Sequence, residues 1–155
     1  MKTSAGILLY RASEAGFDVL IAHMGGPFWE GKDARAWSIP KGEMEEGEDP
    51  LTVAQREFEE ELGSPPPPEP YLDLGSAEQS SRKRIHIFAV RGDLDTEAAT
   101  SNTFSLQWPP GSGLIREFPE IDRAAWVSLE VAGEKLVQGQ VQFLERLQQA
   151  LEGGR

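Results

Sequence analysis

The chain has 155 residues, which is about the length of one domain and enough to bury a substantial core. It contains no cysteine, so disulfide bonds and thiol chemistry are excluded, and its formal net charge of -11 argues against nonspecific binding to nucleic acid. No apolar stretch approaches the length of a membrane span, so we expect a cytoplasmic protein with no membrane or nucleic-acid partner.

The first predicted elements are two strands followed by a loop with aromatic residues. Residues 4–10 (SAGILLY) and 17–22 (FDVLIA) are separated by a short turn, a pattern typical of a β-hairpin. Residues 25–34 (GGPFWEGKDA) form a turn-rich loop that carries Phe28 and Trp29. Trp29 could stack on a nucleobase, but packing of the loop against its own domain explains the aromatic residues equally well.

The clearest helix lies within residues 42–63 (GEMEEGEDPLTVAQREFEEELG). Asp49 followed by Pro50 is typical of a helix N-terminus, because the aspartate accepts from a free backbone N–H and proline needs no donor there. Gly63 is a typical helix stop. The apolar side chains recur at helical spacing and predict a face that packs on the core: Leu51, Ala54, Phe58 and Leu62.

Glu57, Glu60 and Glu61 are predicted to share another face of this helix, since they stand at i, i+3 and i+4. Two carboxylates about 4 Å apart repel by on the order of 4 kcal/mol at an effective dielectric of about 20, and Arg56 lies at one edge of this face. Magnesium or manganese would relieve the repulsion through oxygen ligands, whereas zinc would prefer histidine and cysteine. The alternative is a solvated acidic helix face.

The spacing of the charged residues discriminates between these interpretations. Gly42 is followed by five residues, Glu48, seven residues and then residues 56–63 (REFEEELG). This resembles the Nudix box, G x5 E x7 R E U x E E x G U, where U is a bulky aliphatic residue. Every fixed glycine and charged position matches. Phe58 is aromatic where an aliphatic residue is commoner, and Ser64 replaces the final U, so these differences concern packing at the helix end.

The resemblance implies hydrolysis of a phosphoanhydride bond by metal-activated water, with Mg²⁺ or Mn²⁺ as cofactor. Under it, Glu57 is a candidate base oriented by Arg56, and Glu48 ties the loop to the helix. Family members often recruit a further acid from outside the box, for which we expect Glu120, with Glu117 in reserve. The metal ligands implied are the carbonyl of Gly42 and the carboxylates of Glu57, Glu60 and Glu61.

Basic residues near the box are candidates for binding substrate phosphates. Lys41 directly precedes Gly42, although a solvated lysine that offsets nearby glutamates is the alternative. Arg84 belongs to a basic cluster at 82–84, which could equally be a turn that keeps a hairpin soluble. His86 lies on the strand predicted at 85–90 and is either a substrate ligand or a hydrogen-bonded structural histidine. Arg116, in a predicted loop, is a further candidate.

The remaining elements predict a mixed-sheet α/β fold. Residues 64–70 (SPPPPEP) predict a rigid extended connection, and strands are expected at 71–76, 104–108 and 124–128. Residues 109–113 read as an irregular loop, Glu120 is expected in a proline-bounded loop before the strand at 124–128, and amphipathic stretches at 129–136 and 141–151 close the chain. The resemblance implies the same architecture, a Nudix-type α/β/α sandwich with a mixed β-sheet, over a single domain of residues 1–155.

Two segments narrow the resemblance further. Residues 37–42 (WSIPKG) and 117–126 (EFPEIDRAAW) resemble a bacterial group of nucleoside-triphosphate pyrophosphohydrolases related to dinucleoside polyphosphate hydrolases. We therefore expect an enzyme, a monomer or homodimer, that hydrolyses a nucleoside or dinucleoside polyphosphate such as diadenosine tetraphosphate. The alternative is a catalytically silent Nudix module that binds a nucleotide as a sensor.

Overall fold

Nine strands and three α-helices make up the part of the chain that the computed structural model describes, residues 2–14, 16–68 and 70–153. In chain order they are β1 (Lys2–Ser13), β2 (Gly16–Met24), β3 (Trp37–Ser38), β4 (Lys41–Glu43), α1 (Pro50–Leu62), β5 (Tyr71–Ser80), β6 (Lys83–Arg91), β7 (Thr103–Gln107), β8 (Ile115–Pro119), β9 (Ile121–Ser128), α2 (Leu129–Lys135) and α3 (Gln142–Gly153). Among these residues no helix is both long and apolar enough to cross a membrane.

Seven strands form one mixed sheet, in the order β3-β2-β1-β6-β5, with β4 on β1 and β9 on β2. The β1–β6 pair is parallel and the other pairs are antiparallel. Strands β1 and β2 are paired only from Tyr10↔Val19 to Ser13↔Gly16. Beyond that point β4 takes the edge of β1, at Ser4 to Gly6, and β3 takes the edge of β2. Strands β1 and β2 therefore separate beyond Tyr10 and Val19, and β4, the strand that carries Gly42, pairs with β1 in the space between them.

Each face of the sheet is covered by helices, which confirms the predicted α/β class. Odd-numbered residues of β1 and even-numbered residues of β6 pack against α1, whereas Leu8, Ile85 and Ile87 face the core on the side of α2 and α3. The alternation predicted for residues 85–90 is correct in this respect. The residues packed on α1 are Ala5, Ile7, Leu9, Phe88 and Val90.

Local sequence explains the bounds of α1. The side chain of Asp49 accepts a hydrogen bond from Thr52 N at 3.0 Å, and Pro50 is the first helical residue. Gly63 is left-handed, with φ of 76°, and donates its N–H to Glu59 O at 2.8 Å. Of the predicted apolar face, Leu51 is only half-buried, and Val53 takes its place in the core.

The segment after α1 differs from the prediction in two places. Residues 115–119, for which no strand was predicted, form β8, which pairs with β7 in a separate two-stranded sheet. Strand β9 starts at Ile121 rather than at 124, because its pairing with β2 extends to Met24. Of the proline-rich connection 64–70, residues 65–68 and 70 have no regular secondary structure, and residue 69 lies outside the described residues.

Candidate functional site

The centre of the candidate site is the contact between β4 and α1. Gly42 pairs with Ala5, on the face of the sheet that packs against α1. A Cβ atom at position 42 would lie 2.1 Å from Cδ and 2.3 Å from Oε2 of Glu57. Only glycine therefore lets the Glu57 carboxylate lie directly over the backbone of β4.

Glu48 and Arg56 link the preceding loop to the helix. One carboxylate oxygen of Glu48 accepts from Glu45 N at 2.7 Å, and the other accepts from Arg56 Nη1 at 2.9 Å. The hydrogen bond from Glu45 and then that from Arg56 lower the pKa of Glu48. The other terminal nitrogen of Arg56, Nη2, lies 3.7 Å from Glu57 Oε1. Arg56 therefore lies between Glu48 and Glu57, as a residue that orients Glu57 would.

Glu57 and Glu61 are partly buried acids that carry like-charged neighbours. Burial raises the pKa of Glu61 to about 8, against the effect of Lys41, whose backbone N–H donates to Glu61 Oε2 at 3.1 Å. Burial also raises the pKa of Glu57, and the charge of Glu60 adds to this shift while Arg56 opposes it. Each of these carboxylates therefore makes ionisation of its neighbours less favourable, as expected for acids on one helix face.

Glu120 approaches the same acids from the segment between β8 and β9. Its pKa is raised by partial loss of hydration and then by the charge of Glu60, although much of the residue is exposed. Its N–H donates to Asn102 O at 2.9 Å, and its carbonyl accepts from Gly25 N at 2.9 Å. Asn102 N donates in turn to Glu60 O at 3.2 Å. Glu117, the reserve candidate, is exposed on the separate β7–β8 sheet.

The donor set suits a hard divalent cation. Glu57, Glu60, Glu61 and Glu120 offer only oxygen, and the pKa values of Glu57, Glu61 and Glu120 are raised first by burial and then by the charges of neighbouring acids, both of which a bound cation would offset. Within residues 2–14, 16–68 and 70–153, no three acidic or histidine side chains are already arranged around one coordination point. These residues would hold Mg²⁺ or Mn²⁺, and one oxygen of Glu61 also accepts from Lys41 N.

The other predicted substrate ligands have contacts of their own. Trp29 packs against the core on the side of α2 and α3. His86 stacks on Phe88, with 4.6 Å between ring centroids, and its Nε2 lies 2.6 Å from Asp73 Oδ1. Trp29 thus packs against its own domain, and His86 is a hydrogen-bonded histidine, which are the structural interpretations given above as alternatives to substrate binding.

The two predicted arginine ligands lie in different parts of the fold. The guanidinium of Arg116 lies over the ring of Phe118 at 5.6 Å, on the β7–β8 sheet. Arg84 is exposed near the start of β6. Lys41, by contrast, is half-buried beside the acids of the box. Phe28, which is 59% exposed, meets Trp108 edge to face, with 5.7 Å between ring centroids.

Sequence reasoning missed two features of this region. The contacts of Gly25 and Asn102 that hold Glu120 use backbone atoms, so their side chains do not indicate them, apart from the need for a glycine at position 25, where a Cβ would lie 2.0 Å from Pro119 O. Lys2 was also missed; it pairs with Lys83, a member of the basic cluster 82–84 named from the sequence.

Nudix hydrolases have a mixed sheet with helices on both faces, and their acid-rich helix corresponds to α1 here, which packs beside β4 and Gly42. The chain belongs to this family: the model described as "NUDIX domain" matches residues 1–147. Members of the family act in general on pyrophosphate bonds of nucleotide derivatives.

Solved structures share the fold at low sequence identity. An Ap4A hydrolase of C. elegans, determined as a binary complex, has a TM-score of 0.63 and 18% identity, with 99% of each chain covered. The NUDIX domain of Shewanella oneidensis NrtR in complex with ADP ribose has a TM-score of 0.64 and 16% identity, with 96% of this chain and 87% of that one covered. A NUDIX hydrolase of Listeria monocytogenes has a TM-score of 0.64 and 19% identity, covering 99% and 97%.

One curated protein, an octanoyltransferase of Myxococcus xanthus, is 32% identical over 100 residues. The match covers 64% of this chain but spans only 25% of the length of that protein. The similarity is therefore confined to a quarter of the octanoyltransferase.

Proposed function

We propose that this protein is a divalent-metal-dependent hydrolase that cleaves a phosphoanhydride bond in a nucleoside or dinucleoside polyphosphate. The observation that carries the proposal is the position of the Glu57 carboxylate over Gly42, a contact that any side chain at position 42 would displace. The convergence of Glu60, Glu61 and Glu120 on the same region supports it. We further propose that the enzyme is cytoplasmic and acts as a monomer or homodimer.

In this proposal, the box residues hold the cofactor and the attacking water. The Gly42 carbonyl and three carboxylates would bind Mg²⁺ or Mn²⁺, which activates the water and neutralises negative charge on the phosphoryl oxygens. Arg56 keeps Glu57 oriented, and Glu48 holds Arg56 through its 2.9 Å hydrogen bond. The three carboxylates are those of Glu57, Glu60 and Glu61.

Two acids are candidates for the base that accepts the proton of the attacking water. Glu57 is half-buried and Glu120 lies outside the box, and both have raised pKa values. A raised pKa brings a carboxylate closer to the working range of a general base at neutral pH. We propose that Lys41, which is half-buried and whose backbone N–H donates to Glu61, binds a phosphate oxygen as a point charge.

The decisive experiment is a substrate panel with Mg²⁺ and with EDTA, with the products resolved by chromatography. The panel contains nucleoside triphosphates, diadenosine tetraphosphate, ADP-ribose and nucleotide sugars, so it identifies both the substrate and the bond broken. Glu120→Gln tests the base, Glu117→Gln tests the reserve candidate, and Glu134→Gln, an exposed acid of α2, is the matched control. Near-normal turnover by Glu120→Gln would exclude Glu120 as the base, and the absence of any cleavage product from every substrate would exclude the hydrolase.

A catalytically silent sensor is the second candidate, because the fold is shared with a NUDIX domain crystallised with ADP ribose. The complete set of box acids favours catalysis. Nucleotide binding by calorimetry, without release of phosphate or nucleotide over hours with Mg²⁺, would favour the sensor.

A further inference from the structure

The β7–β8 hairpin carries an apolar face that lies outside the main core. Phe104 lies opposite Phe118, with 6.1 Å between their ring centroids, and Trp108 N donates to Leu114 O at 2.9 Å just beyond the last strand pair. Cross-strand partners share a face of a sheet, and every second residue of a strand returns to it. In the part of the chain that the structure describes, none of these four side chains packs in the core on either side of the main sheet. We call the following side chains the hairpin face: Phe104, Leu106, Trp108, Leu114, Arg116 and Phe118.

The hairpin face continues to Glu120. The N–H of Glu120 donates to Asn102 O at 2.9 Å, so the pairing of β7 with β8 extends by one residue at this end. Glu120 follows Phe118 by two residues and therefore lies on the same face of the hairpin. Burial and the charges of nearby acids, Glu120 among them, raise the pKa values of Glu57 and Glu61. One end of the hairpin face is therefore beside the candidate metal ligands.

The loop between β2 and β3 lies along the hairpin face. The N–H of its first residue donates to Glu120 O at 2.9 Å. A Cβ on Gly26 would lie 2.8 Å from the ring of Phe104, so the loop backbone lies directly against this ring. Two residues further on, Phe28 contacts Trp108, with 5.7 Å between ring centroids. The loop and the hairpin thus run side by side from Glu120 to the Phe28–Trp108 pair.

The outer end of the hairpin face is apolar but open to solvent. Phe28 is 59% exposed and Leu114 is 61% exposed. The rings of Phe28 and Trp108 are inclined at 75°, so their contact leaves at least one face of each ring free. Nucleobases stack on aromatic side chains through their π-faces, with little dependence on which base it is. An exposed aromatic surface beside a candidate catalytic site is therefore suited to a nucleobase.

Arg116 adds a positive charge between the two ends of the hairpin face. It lies opposite Leu106, and its guanidinium lies over the ring of Phe118 at 5.6 Å. Four strand residues, about 13 Å, separate it from Glu120, and Leu114 lies two residues beyond it. A nucleoside polyphosphate has the same order of groups, with a flat base at one end and a row of anionic oxygens leading away from it. The hairpin face matches this order of apolar and charged groups.

We propose that the hairpin face binds a nucleobase of the substrate, stacked on Phe28 and Trp108, with Arg116 beside the phosphates that lead to the box acids. This inference rests on the proposed function. Recognition by stacking selects for a nucleoside rather than for a particular base. A polyphosphate without a base would leave the Phe28–Trp108 pair without a ligand.

The kinetic test compares Phe28→Leu, Trp108→Leu and the double variant with two controls. Trp108→Phe keeps an aromatic ring, and Ile115→Ala removes a 67% exposed apolar side chain from the opposite face of the same hairpin. We expect the double variant to lose at least tenfold in kcat/KM for diadenosine tetraphosphate and for ATP, mostly through KM. Each control should stay within threefold of wild type. A loss below twofold in the double variant, or an equal loss in Trp108→Leu and Trp108→Phe, would overturn the proposal.

A binding measurement separates failure of the hairpin face from failure of the proposed function. If the wild type hydrolyses no substrate, diadenosine tetraphosphate is titrated by calorimetry with Mg²⁺ into the wild type and the variants, whose folding is checked by circular dichroism. Binding that is at least tenfold weaker in the double variant supports the hairpin face, whereas equal affinity or no binding to wild type refutes it. If the double variant does not fold, the two single variants are compared in the same way.

Sedimentation of the same variants tests the other occupant that an exposed apolar surface could take, a second copy of this chain. We expect Phe28→Leu and Trp108→Leu to have the oligomeric state of the wild type. A wild-type dimer that dissociates in these variants would assign the surface to contact between copies and would overturn the proposal.

Discussion

Gly42→Ala is the substitution that most directly tests the candidate site. The added Cβ would lie 2.1 Å from Glu57 Cδ, whereas non-bonded carbon atoms make contact at about 3.5–4.0 Å. The carboxylate must therefore retreat by about 1.4 Å or more, or change rotamer. Because it is the end of a flexible side chain, the backbone of β4 and α1 can stay in place.

The expected effects on stability and on activity differ in size. An off-rotamer glutamate costs roughly 0.5–1.5 kcal/mol, and replacing glycine by alanine recovers about 0.4–1 kcal/mol through the unfolded state. The free energy of unfolding should thus change by less than about 1 kcal/mol. Displacing a catalytic group by about 1 Å lowers the rate about 100-fold, which corresponds to about 2.7 kcal/mol of transition-state stabilisation.

The assay is steady-state hydrolysis of the best substrate of the panel at saturating Mg²⁺, together with urea unfolding. Gly133→Ala is the matched control, because a Cβ there meets only Leu144 at 3.9 Å and lies within α2. The control should keep full activity. If kcat of Gly42→Ala stays within threefold of wild type while stability is unchanged, the position of Glu57 over Gly42 is not what catalysis requires.

Three further predictions follow from the same contacts. The pKa of Glu61 is about 8 in the folded chain, above its ordinary 4.5, so the folded state holds more protons between these values. Stability of the metal-free protein should therefore fall as pH rises from about 4.5 to 8, by up to about 1.4 kcal/mol per pH unit, and Glu61→Gln should flatten this slope in urea unfolding. Arg56→Ala should lower kcat at least tenfold by releasing Glu57, with stability changed by about 1 kcal/mol or less. Trp29→Ala should lower stability by roughly 1–3 kcal/mol, because the ring packs on the core, whereas Phe28→Ala should leave thermal unfolding nearly unchanged.

The helix of the box was predictable because its signals are local. Asp49, Pro50 and Gly63 act on the backbone within one turn, and the contacts of Asp49 and Gly63 are those expected. Glu48 was expected from the resemblance to tie the loop to the helix, and in the structure it does so through Arg56 at 2.9 Å, a partner that was not predicted. For this segment, sequence separation is short enough that local chemistry determines which side chains meet.

The β7–β8 sheet was not predictable in the same way. Residues 115–119 (IREFP) alternate poorly and contain arginine, glutamate and proline, which give little strand signal. Their strand conformation comes from pairing with β7, where Phe104 lies opposite Phe118 and Leu106 lies opposite Arg116. Cross-strand pairs of this kind stabilise a hairpin only after the strands have met. The same reason explains why β9 starts earlier than its apolar residues indicate.

The position of Glu120, the fourth acid of the candidate site, could not be derived from local sequence because it depends on tertiary contacts. Its place beside Glu60 depends on hydrogen bonds from three separate segments, at Gly25, Asn102 and Glu60 itself. All of these bonds use backbone atoms, so the side chains at those positions carry no signal of the contact, except that Gly25 must be small. A Cβ there would lie 2.0 Å from Pro119 O. The sequence could therefore nominate Glu120 only through resemblance, whereas its electrostatic coupling to the box arises from tertiary backbone pairing.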